Sequence, residues 1–193
     1  TIGTADYRCA LVRTMTADMA AMVQAIRAGW TGGHAEALRM AGAEGNALYP
    51  SEADALRTLF GAAATGLEFN AEARLGRPLG TIDRPRPERA EARLSARSLR
   101  NVAVSVEAIG ELALILAAPA GPDTTGDVAA QLDRIATLID RAGDPALQGV
   151  ADPQGRLRVE AIRSRIDELR GTLAQDVAPA LGVAAGFNAL DGD

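Results

Sequence analysis

The chain has 193 residues and a formal net charge of −5, a size that suits one domain or two small ones. Hydrophobic residues make up 48%, enough for a core, but aromatics are only 3%, alanine is about a fifth of the chain, and all 20 basic residues are arginine. One cysteine, Cys9, excludes an internal disulfide framework and a cysteine-built zinc site, one histidine, His34, excludes a two-histidine metal site made by this chain alone, and a pI near 5.0 argues against bulk nucleic-acid binding.

Strands favour aromatic and β-branched residues, whereas alanine is the best helix former, so the composition predicts an all-α chain. Five segments carry helical periodicity and none carries sustained strand alternation. The first runs from about Ala5 to Gly29 with the stripe Leu11, Met15, Met19, Met22/Val23, Ile26 and Trp30, which is expected to face a core. Thr31-Gly32-Gly33 breaks it, with room for a short helix from Ala35 to Met40. The second starts at Ser51, paired with Asp54 as a capping box with aspartate in place of glutamate, and runs to about Leu75. The third covers roughly Glu88 to Ala117, and the fourth Thr125 to Ala142. The fifth opens on Asp152-Pro153, an N-cap with proline at the first helical position, and runs to about Pro179. Short to medium linkers give a bundle with up-down connections. No apolar run reaches the roughly 18 residues of a membrane span. No signal peptide is visible, and helical spacing begins almost at once after Thr1, which suggests a processed or partial chain.

Few residues carry chemistry. His34 lies in Gly32-Gly33-His34-Ala35-Glu36; it is either a loop histidine, a metal ligand or a general base, but position 37, where a helical partner ligand would stand, is alanine. Arginines concentrate between Arg74 and Arg100. If that stretch is helical, Arg86, Arg89, Arg93, Arg97 and Arg100 share one face, either solvated or gripping carboxylates. Glu68 sits beside core positions, so it is either paired or functional. The acids of the fifth helix alternate with Arg156, Arg158, Arg163, Arg165 and Arg170, as on a salt-bridged exposed face. The chain ends Gly186-Phe187-Asn188-Ala189-Leu190-Asp191-Gly192-Asp193; its apolar anchors and acids predict an ordered tail, docked across the start of the third helix.

Three stretches resemble a known family. Arg74-Leu-Gly-Arg-Pro-Leu-Gly, Arg93-Leu-Ser-Ala-Arg-Ser-Leu-Arg-Asn101 and the ending from Leu181 to Asp193 resemble the C-terminal portion of imelysin-like proteins; Gly66-Leu-Glu-Phe and Val150-Ala-Asp-Pro-Gln-Gly-Arg156 fit as well. The resemblance implies an all-helical bacterial envelope protein, periplasmic and often lipid-anchored. It also implies a family classed among metallopeptidases and associated with iron uptake and metal binding. The family signature Gly-x-His-x-x-Glu is not carried over to His34, because Ala37 stands where the glutamate belongs. The expectation is therefore a C-terminal helical portion, residues 1–193, whose N-terminal half with the metal motif is a missing partner. Cys9 then either pairs with a cysteine of that half or is a buried free thiol.

Three functions follow. The first is a periplasmic metal-binding protein of iron uptake, this chain giving the scaffold and polar surroundings of an iron or zinc site held mainly by residues absent from it, with an envelope uptake partner. The second is an imelysin-type metallopeptidase. The third is a non-catalytic helical module with a basic face for an acidic partner. The polar residues expected at the site or anchoring the tail are Glu68, Arg74, Arg97, Ser98, Asn101, Asn188 and Asp191; none is given a catalytic or metal-ligating role.

Overall fold

The computed structural model describes residues 4–183, whose elements are all helices, joined by turns and loops, with no strand among them. The chain divides into two units, one ending at Ala55 and one beginning at Leu56.

In the first unit, α1 (Ala5–Gly29) is capped by Thr4, whose hydroxyl accepts from the Tyr7 amide at 3.3 Å. A kinked π-type segment, Trp30–His34, carries the diglycine and leads into α2 (Ala35–Arg39). The loop that follows folds on Asn46, whose Nδ2 donates to the carbonyls of Ala37 at 2.7 Å and Met40 at 2.8 Å, while its Oδ1 accepts from the Tyr49 amide at 3.1 Å. The stripe of α1 does not face a core: none of its residues is buried, and Met15 and Ile26 are 55% and 72% exposed. The spacing makes the helix, but the short α2 and its loop are too small a surface to cover a helix of 25 residues. Cys9 is exposed and free, not a buried thiol.

The Ser51–Asp54 box forms as expected. The Asp54 amide donates to Ser51 Oγ at 3.2 Å, and the Ser51 amide and hydroxyl donate to Asp54 Oδ2 at 3.2 and 2.7 Å. It starts α3 (Glu52–Glu68), which continues through a π-type stretch, Phe69–Gly76, into the short α4 (Arg77–Leu79). Gly80, at φ +55°, ends the run.

The third long helix begins ten residues later than the spacing predicts. Residues 88–97 form 3-10 turns at Pro87–Arg89 and Arg93–Ser95, with Ala92 and Ala96 in the left-handed region, and α5 covers Ser98–Ala117. Prolines at 85 and 87 and the two left-handed alanines break the helical ladder there. The single arginine face expected from Arg86 to Arg100 therefore does not exist. Then come α6 (Pro122–Ala142) and α7 (Pro153–Thr172), a π-type segment Leu173–Val177, and the one-turn α8 (Ala178–Ala180).

The core lies in the second unit. Leu67, Leu75, Val102, Ile135, Ile162 and Ile166 are all 0% exposed, and each such side chain contributes about 1.5–3 kcal/mol of burial. Helix α6 packs between α5 and α7, and α7 also packs on the 69–76 segment. At Gly110 of α5 a Cβ would come within 2.8 Å of Leu132 Cδ2, so the glycine sets the closeness of the α5–α6 crossing. By length and mean hydropathy alone, residues 98–120 are apolar enough to cross a membrane, against the expectation from the sequence; here Leu99, Val102, Val106, Ala113 and Leu116 of that stretch are core residues.

Candidate functional site: an arginine-lined pocket

Helix α7 and the α3–α4 run lie side by side and exchange polar contacts along their length. Arg170 Nη2 meets Glu68 Oε2 at 2.9 Å, Arg163 Nη2 donates to Glu72 Oε1 at 2.6 Å, and Arg156 Nη1 donates to the Leu79 carbonyl at 2.7 Å and the Thr81 carbonyl at 3.1 Å. One partner climbs the sequence as the other descends, so the two segments are antiparallel. Glu68 is thus paired, with Arg170. Within α7 the expected exposed ion pairs form as well, Arg156 with Glu160 at 2.7 Å and Arg165 with Glu168.

A second network fixes the base of the 80–97 loop. Asn70 is fully buried and uses all its groups: Nδ2 donates to the Gly66 carbonyl at 2.8 Å and to Ser105 Oγ at 2.9 Å, and Oδ1 accepts from Arg74 Nη1 at 3.1 Å. Arg74 also donates from Nε to Glu91 Oε2 at 2.8 Å and lies 5.1 Å from the centre of the Phe69 ring. Asn101 Nδ2 donates to the other oxygen of Glu91 at 3.0 Å. So Arg74 and Asn101 come together, through Glu91, as parts of one frame. Ser98 is 2% exposed and its hydroxyl has no hydrogen-bond partner among the described residues. Arg97 precedes α5 as its exposed flanking residue. Asn188 and Asp191, and the docked tail to which they belong, lie outside the described residues.

A pocket of about 580 Å³ is lined by Arg77, Arg84, Arg86, Arg89 and Arg163 together with Glu72, Gly76, Gly80 and Thr81. The lining loop is pinned. The Thr81 and Arg84 backbones bond to each other at 3.3 and 3.1 Å, the Arg86 amide donates to the Pro78 carbonyl at 2.8 Å, and Arg156 holds the two carbonyls named above. A Cβ at Gly80 would collide with the Arg84 carbonyl, so this tight return needs glycine there. Farther along, Gln148 Nε2 donates to the Pro87 carbonyl at 3.1 Å.

The sequence reading named the arginine-rich segment but not this pocket; it missed Arg156 and Arg163 as its supports, and Asn70 and Glu91 as the joints of the neighbouring frame. Asn70 was findable: it is a polar residue three positions after Leu67, inside the core stripe. The partners of Arg163 and Arg156 are 91 and 77 positions away, beyond any local spacing.

In the first unit, His34 stands in an aromatic setting. Its Nε2 is 3.3 Å from Tyr49 Oη, and its ring centre is 4.9 Å from that of Trp30 and 5.9 Å from that of Tyr49. Among the described residues no group of three His, Cys, Asp or Glu side chains could hold one metal ion. The donors present among the described residues do not fit a metal centre.

The family model for Imelysin (peptidase M75) matches residues 1–173. No match to the chain is found among curated proteins or among solved structures.

Proposed function

The chain belongs to the imelysin family, and from that premise we propose a binding role, in metal acquisition associated with iron uptake at the bacterial cell envelope, in the periplasm or tethered as a lipoprotein. The observation that carries a binding role over a catalytic one is the arginine-lined pocket. Guanidinium groups donate hydrogen bonds in a fixed fork but do not shuttle protons, so five of them suit a site that holds an anion. In this reading the chain supplies helical scaffold and charged surroundings. The iron or zinc ligands belong to residues outside the described ones, carried by an N-terminal half of the same protein that would be its first partner, with an envelope uptake protein as the second.

The same pocket favours a second reading, a non-catalytic module whose basic surface receives an acidic partner. Metallopeptidase activity needs a metal and a group that activates water, and rests here on the family name alone. Calorimetry of the full-length protein with iron and zinc salts tests the first reading, which expects saturable binding; absence of heat with both metals leaves the module. A peptide-library digest with and without chelator tests the protease, and chelator-sensitive cleavage would displace the binding role.

A further inference from the structure

The pocket in the second unit has a composition that folding alone does not explain. Arg77, Arg84, Arg86 and Arg89 make no ion pair among the described residues, whereas Arg74, Arg156, Arg163 and Arg170 each do. The one carboxylate in the lining, Glu72, is already taken by Arg163. The lining therefore carries an excess of positive charge around a single cavity, and like charges held together oppose folding. The backbone under them is nonetheless fixed by the Thr81–Arg84 return, the Arg86 to Pro78 bond and the grip of Arg156 on two carbonyls. Such an arrangement spends no further ordering on the loop when a ligand arrives.

We propose that this pocket binds a small oxyanion carrying two or more negative charges, such as a phosphorylated compound or a compact polycarboxylate. Each guanidinium offers paired N–H groups that match the edge of a carboxylate or phosphate. Arg84 and Arg89 are exposed and free to close on the ligand, Arg86 is half-buried, and Arg163 lines the pocket while Glu72 neutralises part of its charge. The cavity, at about 580 Å³, is of the size that takes a metabolite rather than a lone ion. Asp83, in the turn between Thr81 and Arg84, is an acid of the same loop that is absent from the lining.

This inference stands on the pocket and not on the uptake reading. A protein that takes up no metal yet binds the oxyanion would remove the one and leave the other. The test is calorimetry of the full chain at low salt with pyrophosphate and, separately, with citrate. The expected result is saturable one-site binding of at least one probe, weakened by added salt. Arg84→Gln and Arg89→Gln, both at exposed positions, should each weaken it by about tenfold, the size of one charge-assisted hydrogen-bonded pair. Arg134→Gln, on a separate surface with Arg141 and Arg165, should leave it unchanged. Circular dichroism melts of the variants should lie at or above that of the parent, since Arg84→Gln and Arg89→Gln each remove one of the crowded like charges. No saturable heat with either probe overturns the proposal, as does equal weakening by Arg134→Gln. Binding that emerges only after Asp191→Asn with Asp193→Asn overturns it too, since the pocket would then belong to the chain's own acidic tail.

Discussion

Asn70 shows how much one buried polar side chain can organise. It is 0% exposed and joins the α3 run to α5 through Ser105 and to Arg74. Asn70→Ala empties a fully buried site and takes a partner from the half-buried Ser105 and Arg74 and from the Gly66 carbonyl, so unfolding by denaturant should show a loss of about 1–3 kcal/mol. Glu68→Gln makes the control. Its pair with Arg170 is partly open to water, at 20% and 30% side-chain exposure, and such pairs are worth about 0–1 kcal/mol. If the two variants cost the same, the Asn70 network is not the organising contact. Gly155 is the sharper case of a steric demand: a Cβ there would meet the Gly149 carbonyl, which is backbone and cannot turn aside. Gly155→Ala should cost about 1–3 kcal/mol by overpacking, whereas Gly171→Ala, in the same helix with nothing within 4 Å, should stabilise by about 0.5–1 kcal/mol.

At the scale of elements, the start of α7 is where sequence and structure agree to the atom. Asp152 Oδ2 accepts from the amides of Gln154 at 3.0 Å and Gly155 at 3.1 Å, with Pro153 first in the helix. Asp152→Ala should lower stability by about 1 kcal/mol, read as a shift in the urea midpoint with unchanged slope. Asp152→Asn, which keeps an accepting oxygen, should recover most of it. Caps of this kind were legible because the donor and acceptor sit two or three residues apart. So was each long helix, because its apolar spacing is local. The start of α5 was not. Its arginines repeat at helical intervals, but the two left-handed alanines at 92 and 96 are set by the loop around them. One of its ties, the Leu99 amide on the Pro145 carbonyl at 3.1 Å, joins segments more than forty residues apart. The candidate site was half legible for the same reason. The arginines of one loop were visible as a group, while the distant Arg163 that lines the pocket and Arg156 that pins its loop were not.

Across the whole molecule, the same helical spacing has two different outcomes, and stability should follow burial rather than pattern. The stripe of α1 and the stripe of α7 look alike in sequence, apolar residues every three or four positions. Yet Met15 and Met19 are 55% and 58% exposed, while Ile162 and Ile166 are both 0% exposed. An apolar side chain stabilises the fold by the area that folding removes from water, so a half-exposed methionine has little left to lose. Ile162→Ala deletes methyl groups from a packed interior and leaves a void, and should cost about 2–5 kcal/mol. Met15→Ala replaces a residue on an open helix face with a better helix former, and should stay within about 0.5 kcal/mol of the parent. Urea unfolding followed at the helical circular dichroism band, at two protein concentrations, checks both. A Met15→Ala loss comparable to that of Ile162→Ala, or one that grows as the protein is concentrated, would mean that the α1 stripe is covered in solution, and that the first unit owes its stability to something other than its own short loop and α2.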